Sequence, residues 1–159
     1  METPAQHDGD SNPDSAGGPP PAALARHARI TAGTIALIVF AISLLTLAPS
    51  VYWYDSAEFA AKAVHLEIPH PPGYPLYIVV AHLFTWLPFE PAYSLNLLSA
   101  IAGSVCVAFV VLAGFELGLG AIAAATGGLL LAASFTFWEN SIIAEAYAPG
   151  LAFAAAALW

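Results

Sequence analysis

The sequence is short of charge, and above all of positive charge: it has three Lys and Arg against eleven Asp and Glu, for a net charge of −8. Charged residues make up 9% of the chain, where a soluble domain carries about 25%. A soluble globular surface is not built from so few. The shortage of Lys and Arg also excludes nucleic acid as a partner, because cations must neutralise its phosphates. Cysteine is nearly absent as well. Cys106 stands alone in an apolar run, so the chain has no internal disulfide and no thiolate metal site; the lone thiol acts as a small hydrophobe. There is no phosphate-cradling glycine loop, no nucleophile elbow and no metalloprotease pattern.

What is present is apolar. Hydrophobic residues make up 59% of the chain. No charge lies between Arg29 and Asp55, between Glu90 and Glu116, or between Glu116 and Glu139. Each gap exceeds the roughly 20 residues a helix needs to cross a bilayer. The fold class expected is therefore all-α integral membrane, a polytopic helix bundle. Spans are expected at about 30–50, 91–115, 117–138 and 146–159, the last incomplete. Because the chain stops at Trp159 inside that apolar run, the expectation is a fragment of a longer protein. Residues 1–29 are rich in Pro, Gly, Ser and Asp and are expected to be a disordered tail. Arg26 and Arg29 precede the first span, which puts that tail in the cytoplasm. Tyr52, Trp53 and Tyr54 mark the far interface. "GLGAIAAATGG" turns the chain between the second and third spans and lets helices approach closely. The Ala-rich, Lys-poor usage points to a bacterial inner membrane.

One short segment decides the topology. "PLYIVVAHLFTWLP", residues 75–88, makes a helix of only roughly 20 Å, against a hydrocarbon core of about 30 Å. It is expected to lie at the interface, as is a helix at about 56–67. Asp55 and Glu145 then face the same compartment. If residues 75–88 cross, the membrane separates them.

Polar chemistry concentrates in "WYDSAEFAAKAVHLEIPHPPGYPLY". Asp55 and Glu58 have the spacing of a capping box, and Glu58 with Lys62 that of a helix-surface ion pair. Alternatively, Asp55 is a carboxylate held beside an apolar wall, a candidate general base. In His70-Pro71-Pro72-Gly73-Tyr74-Pro75, each Pro forces its predecessor into extended geometry, and Gly73 permits a sharp turn. Pro75 suits the first turn of a helix. The segment is either a stiff linker or a frame that presents His70 and Tyr74 to a phosphate-bearing or lipid-linked ligand. In the second case His70 binds phosphate or supports Asp55. Glu145 and Tyr147 follow the third span as a solvated or functional pair, with Glu139 a weaker candidate. His65 and His82 lack metal-ligand spacing and are read as structural.

Taken in order, "DSAEF", "AKAVHLEIPHPPGYPLYIVVAHLFTWLPF", "AYSLNLLSAIAGSV" and "FWENSIIAEAY" resemble the start of a family of bacterial and eukaryotic multi-pass membrane proteins. That family, a domain of unknown function, is similar to the human endoplasmic-reticulum transmembrane O-mannosyltransferase and to the wider GT-C glycosyltransferase superfamily. The likeness covers about residues 30–159. It implies a GT-C helix bundle with membrane-skimming helices in the first extracytoplasmic loop. It implies an inverting glycosyltransferase that takes sugar, such as mannose, from a polyprenyl-phosphate donor to a hydroxyl on a protein or glycan. Asp55 matches the catalytic base after the first span, and Glu145 the second acidic loop. Glu58, His70, Tyr74 and Tyr147 are then the donor- and acceptor-binding candidates. Members differ in their need for a divalent metal, and no metal-ligand set is assigned. A transporter or channel module and a non-catalytic structural subunit are the competing classes. The spans carry no intramembrane ionisable groups, which disfavours conduction.

Overall fold

The computed structural model describes residues 21–159, so most of the expected N-terminal tail lies outside the described residues. Seven helices and no strand are found among those residues. They are α1 (Pro21–Thr46), α2 (Ser56–His65), α3 (Pro75–Phe84), α4 (Pro91–Glu116), α5 (Ala121–Ala133), α6 (Phe135–Ile142) and α7 (Tyr147–Leu158). Two, α1 and α4, are long and apolar enough to cross a membrane, and α5 with α6 would make a third as one bent span.

Two boundaries differ from the expectation. The first helix starts at Pro21 rather than near Ile30. Pro suits a helix's first turn, and the Ala and Leu that follow are strong helix formers. Arg26 and Arg29 are thus helical residues, not part of a loose tail. The apolar run 117–138 is not one straight helix: it breaks at Ser134 with a bend of 68°. Ser134 has extended backbone angles, and its hydroxyl donates to the Leu131 carbonyl at 2.8 Å. A serine side chain that bonds nearby backbone competes with the helix ladder.

The helix α4 is the central post. It packs against α1, α5, α6 and α7 along its length, and its first turns receive α2 and α3. One core joins Phe59 and Ala63 of α2, Tyr77, Ile78 and Ala81 of α3, and Ala92, Leu95 and Leu98 of α4. A second joins Ile35 and Val39 of α1 to Val107 and Val111 of α4, with Phe137 and Ala155. Small residues set the spacing, as the glycine-rich turn suggested. A Cβ on Gly128 would lie 2.6 Å from a Val111 methyl, and one on Gly103 would lie 2.5 Å from Ser141 Oγ.

At ten residues, α3 is about 15 Å long and too short to span as a helix. Pro75 is its first residue, as expected, and Gly73 turns the chain at φ +87. His82 reaches back from α3 to the Ala63 carbonyl of α2 at 2.8 Å, the structural role the sequence suggested. Asn96, buried in α4, donates to the carbonyls of Ala48 at 2.8 Å and Ser50 at 3.0 Å. It thereby fixes the chain between α1 and Asp55.

Candidate functional site

The first turn of α2 was expected to close on itself. It does not. Asp55 is the N-cap residue, but its side chain makes no capping hydrogen bond. Glu58 turns away to residue 70 instead. Its Oε1 accepts the His70 backbone N–H at 2.8 Å, and its Oε2 lies 2.8 Å from His70 Nδ1. The expected Glu58–Lys62 pair is also replaced, because Lys62 meets Glu67 at 2.6 Å. The proline-rich loop brings a histidine to α2 that offers Glu58 two donors, and a carboxylate gains most where ionised groups hydrogen-bond.

His70 then has its other nitrogen free for Asp55, with Nε2 3.5 Å from Asp55 Oδ2. Its ring packs edge-on against Tyr74 at 5.7 Å and near Phe59 at 6.0 Å. Phe59 in turn touches Tyr74 and Tyr77. Phe59, buried in α2, thus forms an apolar floor beneath His70. The site draws the Glu58 carboxyl below its ordinary range, chiefly through the hydrogen bond from the His70 side chain. That same bond raises His70, with Asp55, Glu58 and Glu145 adding negative charge around it. Both effects favour an ionised pair.

Glu145 arrives from the far end of the sequence. Its Oε1 accepts the Asp55 backbone N–H at 3.2 Å, so the two acids meet in one site, as the shortness of α3 suggested. Glu145 is 3% exposed, and burial raises its pKa against the opposing pull of that N–H. Ser99 of α4 holds the loop through long contacts to the Glu145 backbone, at 3.4 and 3.5 Å. Ala48 N–H donates to the Ile142 carbonyl at 3.1 Å, tying the end of α6 to the end of α1. Ser99 and Asn96 were missed in the sequence. Their signal was available: a buried polar residue in an apolar span needs a partner.

Two cavities flank this loop. Asp55, Glu145, Tyr147, Glu139 and Asn140 line a polar one of about 630 Å³. Tyr74, Tyr77, Leu98, Ala146 and Phe153 help line an apolar groove of about 600 Å³ between α3, α4 and α7. Both fall within the usual ligand-pocket range of about 300–1,000 Å³. Of the predicted residues, Asp55, Glu58, His70 and Glu145 come together, Tyr147 joins the polar cavity, and Tyr74 faces the apolar groove. The Asp55 side chain is 46% exposed and does not sit in the apolar burial expected of it. Among the described residues, Asp55, Glu58 and His70 also offer three possible ligand atoms within 4.8 Å of one another. A cation bound there would compete with the contacts that His70 makes to the two carboxylates.

Comparison with known proteins agrees with this part of the chain. The family description "Protein O-mannosyl-transferase TMEM260 N-terminal domain" matches residues 55–159, beginning at Asp55. A mouse (Mus musculus) protein, protein O-mannosyl-transferase TMEM260, is 37% identical over 123 residues, which is 72% of this chain and 17% of the mouse protein. The chain thus spans about a sixth of the length of that curated relative. No solved structure matches.

Proposed function

The chain belongs to the family of the protein O-mannosyl-transferase TMEM260 N-terminal domain, and from that premise we propose that it forms the base-bearing end of a membrane glycosyltransferase. The donor is a sugar, mannose by analogy with the mouse relative, on a polyprenyl phosphate. The acceptor is a hydroxyl of a protein or glycan on the extracytoplasmic side. The observation that carries this reading is the meeting of Asp55 and Glu145 in one polar cavity, with an apolar groove beginning at the next residue, Ala146. A lipid-linked sugar has this division, a water-seeking head on an oily chain.

Asp55 accepts the proton of the acceptor hydroxyl as that oxygen attacks the anomeric carbon. The oxygen–hydrogen bond breaks and the Asp55–proton bond forms. A new carbon–oxygen bond forms on one face of the sugar while the anomeric bond to phosphate breaks on the other. The lipid phosphate leaves with the electron pair, and configuration inverts. Glu145, fixed by Ser99 and by the Asp55 N–H, orients the acceptor. Tyr147 lines the same cavity and supplies a further polar contact, and Tyr74 stands where the lipid stem enters the groove.

The test uses the full-length protein with a polyprenyl-phosphate sugar and a peptide acceptor. Asp55→Asn keeps the shape of the side chain and removes its basicity. The expected result is a loss of kcat on the order of 100-fold or more at unchanged membrane expression. A variant that still forms product at the wild-type rate would remove Asp55 as the base.

A further inference from the structure

Two of the clustered side chains, His70 and Glu58, have no part in that reaction. His70 touches neither cavity, yet both of its ring nitrogens face carboxylates. Glu58 fixes it twice, through the backbone N–H and through Nδ1. Two contacts to one carboxylate define both the loop position and the ring rotation. An ionised Glu58 requires the proton on Nδ1. Nε2 then faces Asp55 Oδ2 at 3.5 Å. A bare nitrogen lone pair would repel that carboxylate, whereas a protonated Nε2 attracts it as an ion pair, at a distance too long for a full hydrogen bond. The ring cannot swing aside easily, because Tyr74 and Phe59 pack around it. Glu58 from α2, Asp55 ahead of it and Glu145 from the α6–α7 loop supply the negative charge around the ring.

We propose that His70 is a positioning residue for Asp55: clamped by Glu58, it holds Oδ2 through Nε2 and leaves Oδ1 turned to the acceptor hydroxyl. This rests on the reading of Asp55 as base. It gives His70 a different task from phosphate binding, since both ring nitrogens are engaged within the site. Glu58 likewise acts through His70 rather than on substrate. Such contacts are often long in the absence of substrate and shorten in the reacting complex.

Two substitutions separate this role from a merely structural one. The Asn amide nitrogen reproduces Nδ1, so His70→Asn keeps the tie to Glu58 and loses Asp55. The Gln amide nitrogen reproduces Nε2, so His70→Gln keeps the hold on Asp55. In the full-length protein, His70→Asn should lower kcat on the order of 100-fold, with KM within about threefold. His70→Gln should recover most of that loss. A His70→Asn enzyme with wild-type kcat would overturn the proposal, as would a loss in both variants that falls on KM. A second measurement needs no activity and covers variants that fold poorly. Histidine-selective NMR of the wild type and of Asp55→Asn should show the His70 titration midpoint falling when the Asp55 charge is removed. An unmoved midpoint contradicts the contact. If the wild type forms no glycoside while the midpoint moves, the glycosyltransferase reading fails and the Asp55–His70 contact stands.

Discussion

Gly103 of α4 faces Ser141 of α6 where the two helices pack. A Cβ at residue 103 would lie 2.5 Å from Ser141 Oγ and 2.9 Å from Ser141 Cβ. The hydroxyl is not free to move away, because it donates to the Phe137 carbonyl at 2.7 Å. At an open helix position, Gly→Ala is worth about 1 kcal/mol of added stability. Here overpacking should cost about 1–3 kcal/mol. The net is a loss of roughly 0–2 kcal/mol, too wide a range for Gly103→Ala alone to decide. A double-mutant cycle removes the propensity terms. Ser141→Gly clears the space, and the pair G103A and S141G should show a coupling of about 1–3 kcal/mol, with the double variant recovering what the clash costs. Unfolding of the four purified proteins in one detergent measures it. Additivity within about 0.5 kcal/mol would show that α4 and α6 do not meet at these residues. The geometry also predicts a loss of the proposed transferase activity in G103A beyond its loss of stability. Displacing α6 moves the loop that carries Glu145 to Asp55.

Other consequences concern protonation and metal. Burial holds the Glu145 pKa above its ordinary 4.5, so the folded state binds this proton more tightly than the unfolded chain. Its stabilising contribution is full below that ordinary value and is lost as pH rises through the raised one. Glu145→Gln should therefore gain stability over the wild type as pH rises above 4.5, read as a growing difference in melting temperature; a constant difference refutes the burial argument. Because carboxylates already hold His70 at both ring nitrogens, the proposed transfer should survive EDTA. Activity lost to EDTA and restored by Mn²⁺, with Mn²⁺ binding abolished by His70→Phe, would make Asp55, Glu58 and His70 a metal site instead.

Long-range order in this chain was legible where one physical rule governs a whole segment. Uncharged length marked α1 and α4, and the shortness of α3 placed Asp55 and Glu145 together. Prolines and Gly73 marked the loop before α3. Local pairings were misread for one reason. Glu58 was assigned to Asp55 and Lys62 by helical spacing, but its partner, His70, sits beyond the end of α2, where sequence spacing carries no distance. The break at Ser134 was invisible because neither a proline nor a charge marks it; a serine hydroxyl bonded to Leu131 does the work within an apolar run. Asn96 and Ser99 looked like minor polar residues in a span. Only the fold shows that they anchor the two segments carrying Asp55 and Glu145.

The central claim is that Asp55 and Glu145 share one face of the membrane and one site. With Cys106 replaced by Ser, single cysteines at Ala57 and Tyr147, both exposed, can be labelled from each side with a membrane-impermeant thiol reagent. The account predicts labelling of both from the same side. Labelling from opposite sides would place the bilayer between the two acids and contradict it.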